Sequence, residues 1–543
     1  MIQSNTIDGL LLREMVIAGT AQLDKNREMV DALNVFPVPD GDTGTNMSLT
    51  MNSALREINA KEFNDASSAA DALSRGALRG ARGNSGVILS QILRGFSKEI
   101  SGNPQITPEL FARALKRGAD TAYKAVMKPK EGTILTVARV LSEDGVRLCS
   151  TKEVGFEELF NTLLKSGEAI LQRTPEMLPV LKEAGVVDAG GRGFLFILTG
   201  FYMALNGGEM PAGEQKGPGE ELISEEESPF TYHQEFTLRH IKETVTEESV
   251  NIFRRQLNRI GQNVKVDRDD DVIACSLFTN DPGKALQYGL DVGEIIESKL
   301  TNLKEERRKA MPEKASEAPA EKKEHKPYGF VSVSLGEGFA AIFKDLKVDV
   351  IVDGGQTMNP SIDDLAKAVD TINADTVFIL PNNGNVILAA QQAAKLCDKN
   401  VKVIPTKNVA MGIAALVAFQ PDQNADANAE MMDAASQNVR TGTITYAVRD
   451  TKYEGMEICQ GDLIGLINGK LALKGDDKDQ VAIDLMDSIV SEDDGLITLY
   501  YGADVTEEEA EALKEKIGER FPDLDVEALS GGQPLYYYII SVE

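Results

Sequence analysis

A chain of 543 residues is too long for one hydrophobic core, so about two to four domains are expected. Its 42% hydrophobic and 26% charged composition is that of a globular protein, and no run of about 18 apolar residues is present to span a bilayer. A net charge of −28 sets the chain against nucleic acid, while three histidines and four scattered cysteines (Cys149, Cys275, Cys397, Cys459) disfavour a histidine-rich mechanism, a zinc ribbon or a dithiol site.

The N-terminus lacks a basic stretch followed by a long apolar segment, so no secretory signal is expected. Free thiols suit a reducing compartment, and the chain is read as cytoplasmic. Residues 1–212 are expected to be all helical, because apolar residues recur at helical spacing over 10–23, 87–96, 110–126 and 159–171. A Gly-, Pro- and acid-rich stretch over 213–229 ends this piece. The middle piece, 230–303, is small and mixed, with a helix expected over 250–260 and a strand over 271–277. Residues 304–327 are charged and Ala/Pro-rich, the composition of a flexible linker. In the last piece, 328–543, short apolar runs at 348–352, 377–380 and 401–404 each precede a helical pattern, which predicts an α/β layer with a parallel sheet. Strands over 496–501 and 535–540, with a helix over 506–521 between them, point to a further sheet. The whole is a multidomain α plus α/β chain.

Four segments carry candidate chemistry, all in the first piece. In NVFPVPDGDTGTNM (34–47), Asp40 and Asp42 flank one glycine on a proline-stiffened loop, and a helix is expected from Thr45 or Asn46. Two carboxylates so placed are hard-oxygen ligands for magnesium, and Asn34 can add an amide oxygen. An Asx turn between helices uses the same residue types, so both readings stay open. In GARGNSGVILSQ (80–91), Gly83 and Gly86 admit an anion close to the backbone. Asn84 and Ser85 stand where a helix cap is expected, and Arg82 reads equally well as a solvated charge. EGTILTV (131–137) and AGVVDAGGRG (184–193) repeat that build, so four Gly-rich helix starts are expected at one end of a bundle. No GxxxxGK[ST] loop and no protein-kinase motif set occurs.

Together FPVPDGDTGTNM, ARGNSGVILSQ, MKPKEGTILTV and GVVDAGGRGF resemble the ATP-binding domain of the dihydroxyacetone kinase L subunit. More closely, they resemble the catalytic subunit of bacterial fatty acid kinase, and VDGGQTMNPS, LPNNGNVI and IPTKNVAMGIAAL extend the resemblance through 328–543. It implies an antiparallel helical barrel in the first domain, with ATP and two magnesium ions held by Asp40, Asp42 and, more weakly, Asn34. It implies phosphate contacts from Thr43, Asn46, Ser85 and Gly86, and a pocket completed by Gly132, Thr133, Asp188 and Gly190. Members of the family carry a Cys and a His-x-His pair in the middle domain. Here Phe236, Ser276 and Phe278 align with those positions, so zinc is doubtful and packing or dimerisation is expected of that domain.

The implied reaction is transfer of the γ-phosphate of ATP to a fatty acid carboxylate, giving an acyl phosphate. A separate lipid-binding protein presents the acid, the last domain is expected to dock that partner, and a homodimer is expected. The rival readings are a kinase for dihydroxyacetone or glycerol, and a nucleotide-sensing scaffold without catalysis.

Overall fold

The computed structural model describes residues 5–35, 41–206, 232–239, 261–269, 272–279, 282–302, 325–354, 359–447, 451–453 and 456–543, with Val250, Phe253, Arg254 and Leu257. Asp40, the 213–229 stretch, most of 304–327 and Gly355 to Thr357 lie outside them. Two compact units result: residues 1–213 with 324–543, and residues 214–323.

The first half of the larger unit is helical. Its elements are α1 (Gly9–Lys25), α2 (Arg27–Ala32), α3 (Thr43–Asn59), α4 (Ala66–Arg79), α5 (Gly83–Ile100), α6 (Pro108–Ala125), α7 (Ile134–Thr151), α8 (Phe156–Leu171), the short α9 (Thr174–Met177) and α10 (Pro179–Ala184), and α11 (Ala189–Leu205). Side-chain caps begin several of them: Asp8 accepts from Leu11 N, Asp65 from Ser68 N and Thr107 from Leu110 N. From α3 to α8 each long helix packs on the next, and α11 returns against α1, closing a ring. One hydrophobic cluster fills it, with Phe96, Phe111, Phe156 and Phe160 in edge-on or tilted contact at its centre.

Residues 325–543 hold two larger sheets and a two-stranded antiparallel pair, β10 (Thr451–Tyr453) with β11 (Met456–Ile458). The first is fully parallel, built from β5 (Lys326–Ser334), β6 (Val350–Asp353), β7 (Ala374–Leu380) and β8 (Asn400–Val403) in the order β6-β5-β7-β8. The other is six-stranded and antiparallel apart from the pairing of β14 (Leu496–Tyr501) with β15 (Asp525–Ser530). Its remaining strands are β9 (Arg440–Tyr446), β12 (Leu463–Ile467), β13 (Lys470–Gly475) and β16 (Tyr536–Val542). Strand β5 starts at Lys326, inside the expected linker: Lys326 already pairs with Ala374, three residues ahead of the continuously buried run Gly329 to Ser334.

Docking of the two halves is intimate. Ala81 and Val87 are buried in the same hydrophobic cluster as Val331, Val333, Ile362 and Ile379. Ile362 N donates to Ala81 O at 3.2 Å. Arg82 Nη1 donates to Asn359 O at 2.8 Å, and its Nη2 lies 3.3 Å from Asp364. Arg82 is therefore an interdomain tie rather than a solvated charge.

The smaller unit is a four-stranded antiparallel sheet with one described helix between its last two strands in sequence, α12 (Pro282–Val292). Phe236 on β1 (Tyr232–Arg239) lies opposite Cys275 on β3 (Val272–Thr279), and both are core residues. His233 packs on Phe278, with ring centroids 4.7 Å apart, and its Nε2 is 3.0 Å from Ser276 Oγ.

Candidate functional site

The starts of four helices meet around one cavity of about 240 Å³. Of the residues singled out in the sequence, Asn34, Asp42, Thr43, Ser85, Thr133, Asp188 and Gly190 line it. Asn84, Ile88, Val126, Lys128, Lys130, Ile134, Leu135, Asn385 and Leu388 complete the wall. Asn385 and Leu388 come from the α/β half, so the cavity is not built from the first two hundred residues alone.

Helix α3 begins at Thr43, earlier than expected, with Asp42 as its first flanking residue. Asp42 does not cap its own helix; instead Asp31 of α2 accepts from Thr45 N at 3.0 Å and from Thr45 Oγ1 at 2.8 Å. That bond allows the helix to start two residues sooner and leaves Asp42 in the cavity wall. Gly41, just before it, has a φ of +65°, which a side chain would strain.

Arg82, not Asn84 or Ser85, flanks the start of α5, and no side chain caps it. Gly83 sets this shape: its φ is +56°, and a Cβ there would lie 2.5 Å from Asn46 Nδ2. Asn84 and Ser85 consequently occupy the first turn, where intrahelical partners for N–H groups are lacking. Asn84 Nδ2 donates to Asn385 Oδ1 at 2.8 Å. Asn46 lies beneath Gly83, and Gly86 packs on Thr50 Oγ1; neither lines the cavity.

Thr133 flanks α7 without a side-chain cap bond. Glu131 braces this start, accepting from Thr136 Oγ1 at 2.6 Å, Arg139 Nη2 at 3.0 Å and Tyr123 Oη at 2.9 Å. Gly132 bends the approach at φ +82° and stands back from the cavity. At α11, Asp188 is the cap, with Oδ2 accepting from Gly191 N at 2.6 Å. Burial pushes the Asp188 carboxyl up to about 7, although N–H bonds from Gly191 and Ile134 oppose this. Arg192 is engaged elsewhere, forked onto Glu168 at 2.8 and 3.0 Å.

Sequence reasoning assigned no role to Lys128 and Lys130, although two lysines spaced by one proline ahead of a Gly-rich helix start were the available signal. Among the described residues neither pairs with a carboxylate. Those residues hold no cluster of three His, Cys, Asp or Glu side chains with metal-binding spacing. The described wall offers Asp42 and Asn34, with Asp188, Asn84 and Asn385 as further oxygen donors and neither His nor Cys, a set that suits magnesium better than zinc. No described helix is long and apolar enough to cross a membrane.

A family model described as the DAK2 domain matches residues 37–203. FakA-like models of fatty acid kinase match residues 229–310 (middle domain) and 329–543 (C-terminal). Protein YloV of Bacillus subtilis (strain 168) is 43% identical over 551 residues, covering 99% of both chains. An uncharacterised protein of Staphylococcus aureus (strain USA300) is 38% identical over 547 residues, also covering 99% of both. Among solved structures, a DegV family protein from Corynebacterium glutamicum aligns with a TM-score of 0.32 at 15% identity, over 40% of this chain and 97% of its own. The dihydroxyacetone kinase of C. freundii aligns with a TM-score of 0.29 at 11% identity, over 40% of this chain and 48% of its own. Likeness at that level says nothing about chemistry.

A DAK2 domain carrying a cavity ringed by helix starts places the chain in a kinase family. Within it, the chain belongs to the FakA-like fatty acid kinase family.

Proposed function

We propose that this protein uses ATP and magnesium to phosphorylate the carboxylate of a fatty acid presented by a separate lipid-binding protein. The observation that carries the reading is the convergence of helix starts on one cavity, two of them without a side-chain cap, beside Lys128 and Lys130. First-turn N–H groups and ammonium groups together suit a triphosphate. The hydroxyls of Thr43 and Ser85 add donors along the same wall, while Ile88, Val126, Leu135 and Leu388 offer apolar surface for a purine. Asp42 and Asn34, with Asp40 two residues earlier in the chain, would hold magnesium, which when bound neutralises phosphate charge.

A carboxylate is ionised at pH 7, so the acceptor needs no general base. Its oxygen attacks the γ-phosphorus, the bond to the β,γ-bridging oxygen breaks, and ADP leaves with that electron pair. The absence of histidine from the described wall is then no obstacle. Lys128, Lys130 and the α5 and α7 N–H groups stabilise charge on the transferred group, and Asp188, when neutral, can donate to a phosphate oxygen. Family membership favours a fatty acid over a small hydroxy compound. The middle domain is proposed to pack or dimerise, and the last domain to receive the partner.

The test is ADP release by the purified full chain. Little turnover with ATP alone and robust turnover with a lipid-loaded partner are expected. Turnover with dihydroxyacetone or glycerol instead would favour a small-molecule kinase, and nucleotide binding without turnover on any acceptor would favour a sensing scaffold.

A further inference from the structure

The α/β domain reaches the most important side chain of the cavity. Asn359 Nδ2 donates to Asp42 Oδ2 at 2.7 Å, across 317 residues of sequence. Asn359 is 2% exposed, and its own Oδ1 is buried with no hydrogen-bond partner among the described residues. An orphaned amide oxygen is costly to bury, and this one sits on the same amide carbon as the nitrogen that touches Asp42. The backbone beneath it is fixed from several directions. Asn359 O accepts from Arg82 Nη1, and two residues on, Ser361 and Asp364 form a reciprocal capping box at the start of α14 (Ile362–Asp370). The next residue, Ile362, donates its N–H to Ala81. Position 359 is therefore held rigidly against the α4–α5 turn.

We propose that Asn359 is a positioning residue of the phosphotransfer site, holding the Asp42 carboxylate in the aim that a divalent cation needs; this rests on the reading of the cavity given above. Partners that orient a metal-binding carboxylate commonly affect metal affinity by about 10–100-fold. Docking of the α/β domain and loading of the cation then become linked, each favouring the other to the same extent. The α/β domain would so regulate the site at the helix starts of its neighbour.

The experiment uses the full chain and titrates magnesium into mixtures with a non-hydrolysable ATP analogue, read by calorimetry. Asn359→Leu, which keeps much of the volume and loses the donor, and Asn359→Ala should raise the magnesium concentration at half-saturation by about 10–100-fold. Binding of the analogue without magnesium should change only a few-fold. Gln392→Leu loses the contact with Gln91 across the same interface, away from the clamp on Asn359, and should leave the magnesium dependence where it was. In the unmutated chain, magnesium with the analogue should slow hydrogen exchange at Ile362 N–H more than the analogue alone; this decides the matter if both Asn359 variants misfold. Unchanged magnesium dependence in the Asn359 variants, or an equal change in Gln392→Leu, overturns the proposal while leaving the cavity reading intact. Failure of the unmutated chain to bind the analogue overturns both.

Discussion

Two sets of turns in this molecule are built from the same residue types and use them in opposite ways. Around the cavity, the first turns of α5 and α7 take no cap from their own flanking residues, α7 gives its Ile134 N–H to Asp188, and Ser85 makes only a long 3.4 Å contact with Thr43 O. At the carboxyl edge of the parallel sheet, the polar groups consume one another. Thr406 Oγ1 donates to Asn382 Oδ1 at 2.8 Å and accepts from Asn382 N at 3.0 Å. Asn382 Nδ2 donates to Ser332 Oγ and Val333 O, both at 2.9 Å, and Asn383 Oδ1 accepts from Asn385 N at 2.8 Å. A loop rich in Asn, Thr and Gly becomes a ligand site only where the fold leaves donors uncommitted. The sheet edge instead stiffens itself and lends Asn385 to the neighbouring cavity.

That contrast can be broken first at Asp42. Asp42→Ala should cost several kcal/mol of transition-state stabilisation, about a thousandfold or more in turnover, with little change in thermal midpoint. Asp40→Ala is expected to behave alike. Near-normal kinetics in a folded Asp42→Ala protein would remove the metal role.

Asn382→Ala should do the reverse. It strips the sheet edge of its shared hydrogen bonds and places alanine at a φ of +51°. The expected loss is about 2–4 kcal/mol of stability, read by denaturant titration, with ATP affinity of the folded protein unchanged. A large affinity loss at intact stability would make the edge a ligand site after all.

Ser85→Ala comes next, weakening ATP binding by about 1.5–3 kcal/mol, the worth of a hydrogen bond to a charged group. Calorimetry returning an unchanged affinity would place the phosphates elsewhere. The subtlest effect concerns pH. Because burial raises the Asp188 carboxyl from 3.8 to about 7, the folded state favours its neutral form. The stability it contributes is full below pH 4 and is lost as pH rises towards 7. Thermal midpoints of Asp188→Asn should therefore decline less over that window than those of the unmutated chain; parallel profiles would refute the shift.

Much of the helical half was legible because apolar periodicity and Gly-rich helix starts are local signals. The α/β layer announced itself through the short apolar runs of β6, β7 and β8. Strands such as β9 (RTGTITY) went unseen because glycine and threonine dilute their apolar content, and only pairing with β12 and β16 makes them strands. At the cavity, the glycines and Asp42 were visible as a motif. Asn359 and Asn385 stood in the motifs VDGGQTMNPS and LPNNGNVI, but their place at the cavity did not show, since it depends on contacts with Asp42 and Asn84 some three hundred residues away. Arg82 read equally well as a solvated charge for the same reason.

A crystal structure of the full chain with magnesium and a non-hydrolysable ATP analogue tests the nucleotide site most directly. The triphosphate is expected on the first-turn N–H groups of α5 and α7, within reach of Lys128 and Lys130, with the metal against Asp42. A nucleotide bound away from these helix starts, or phosphates turned from Asp42, would contradict that assignment.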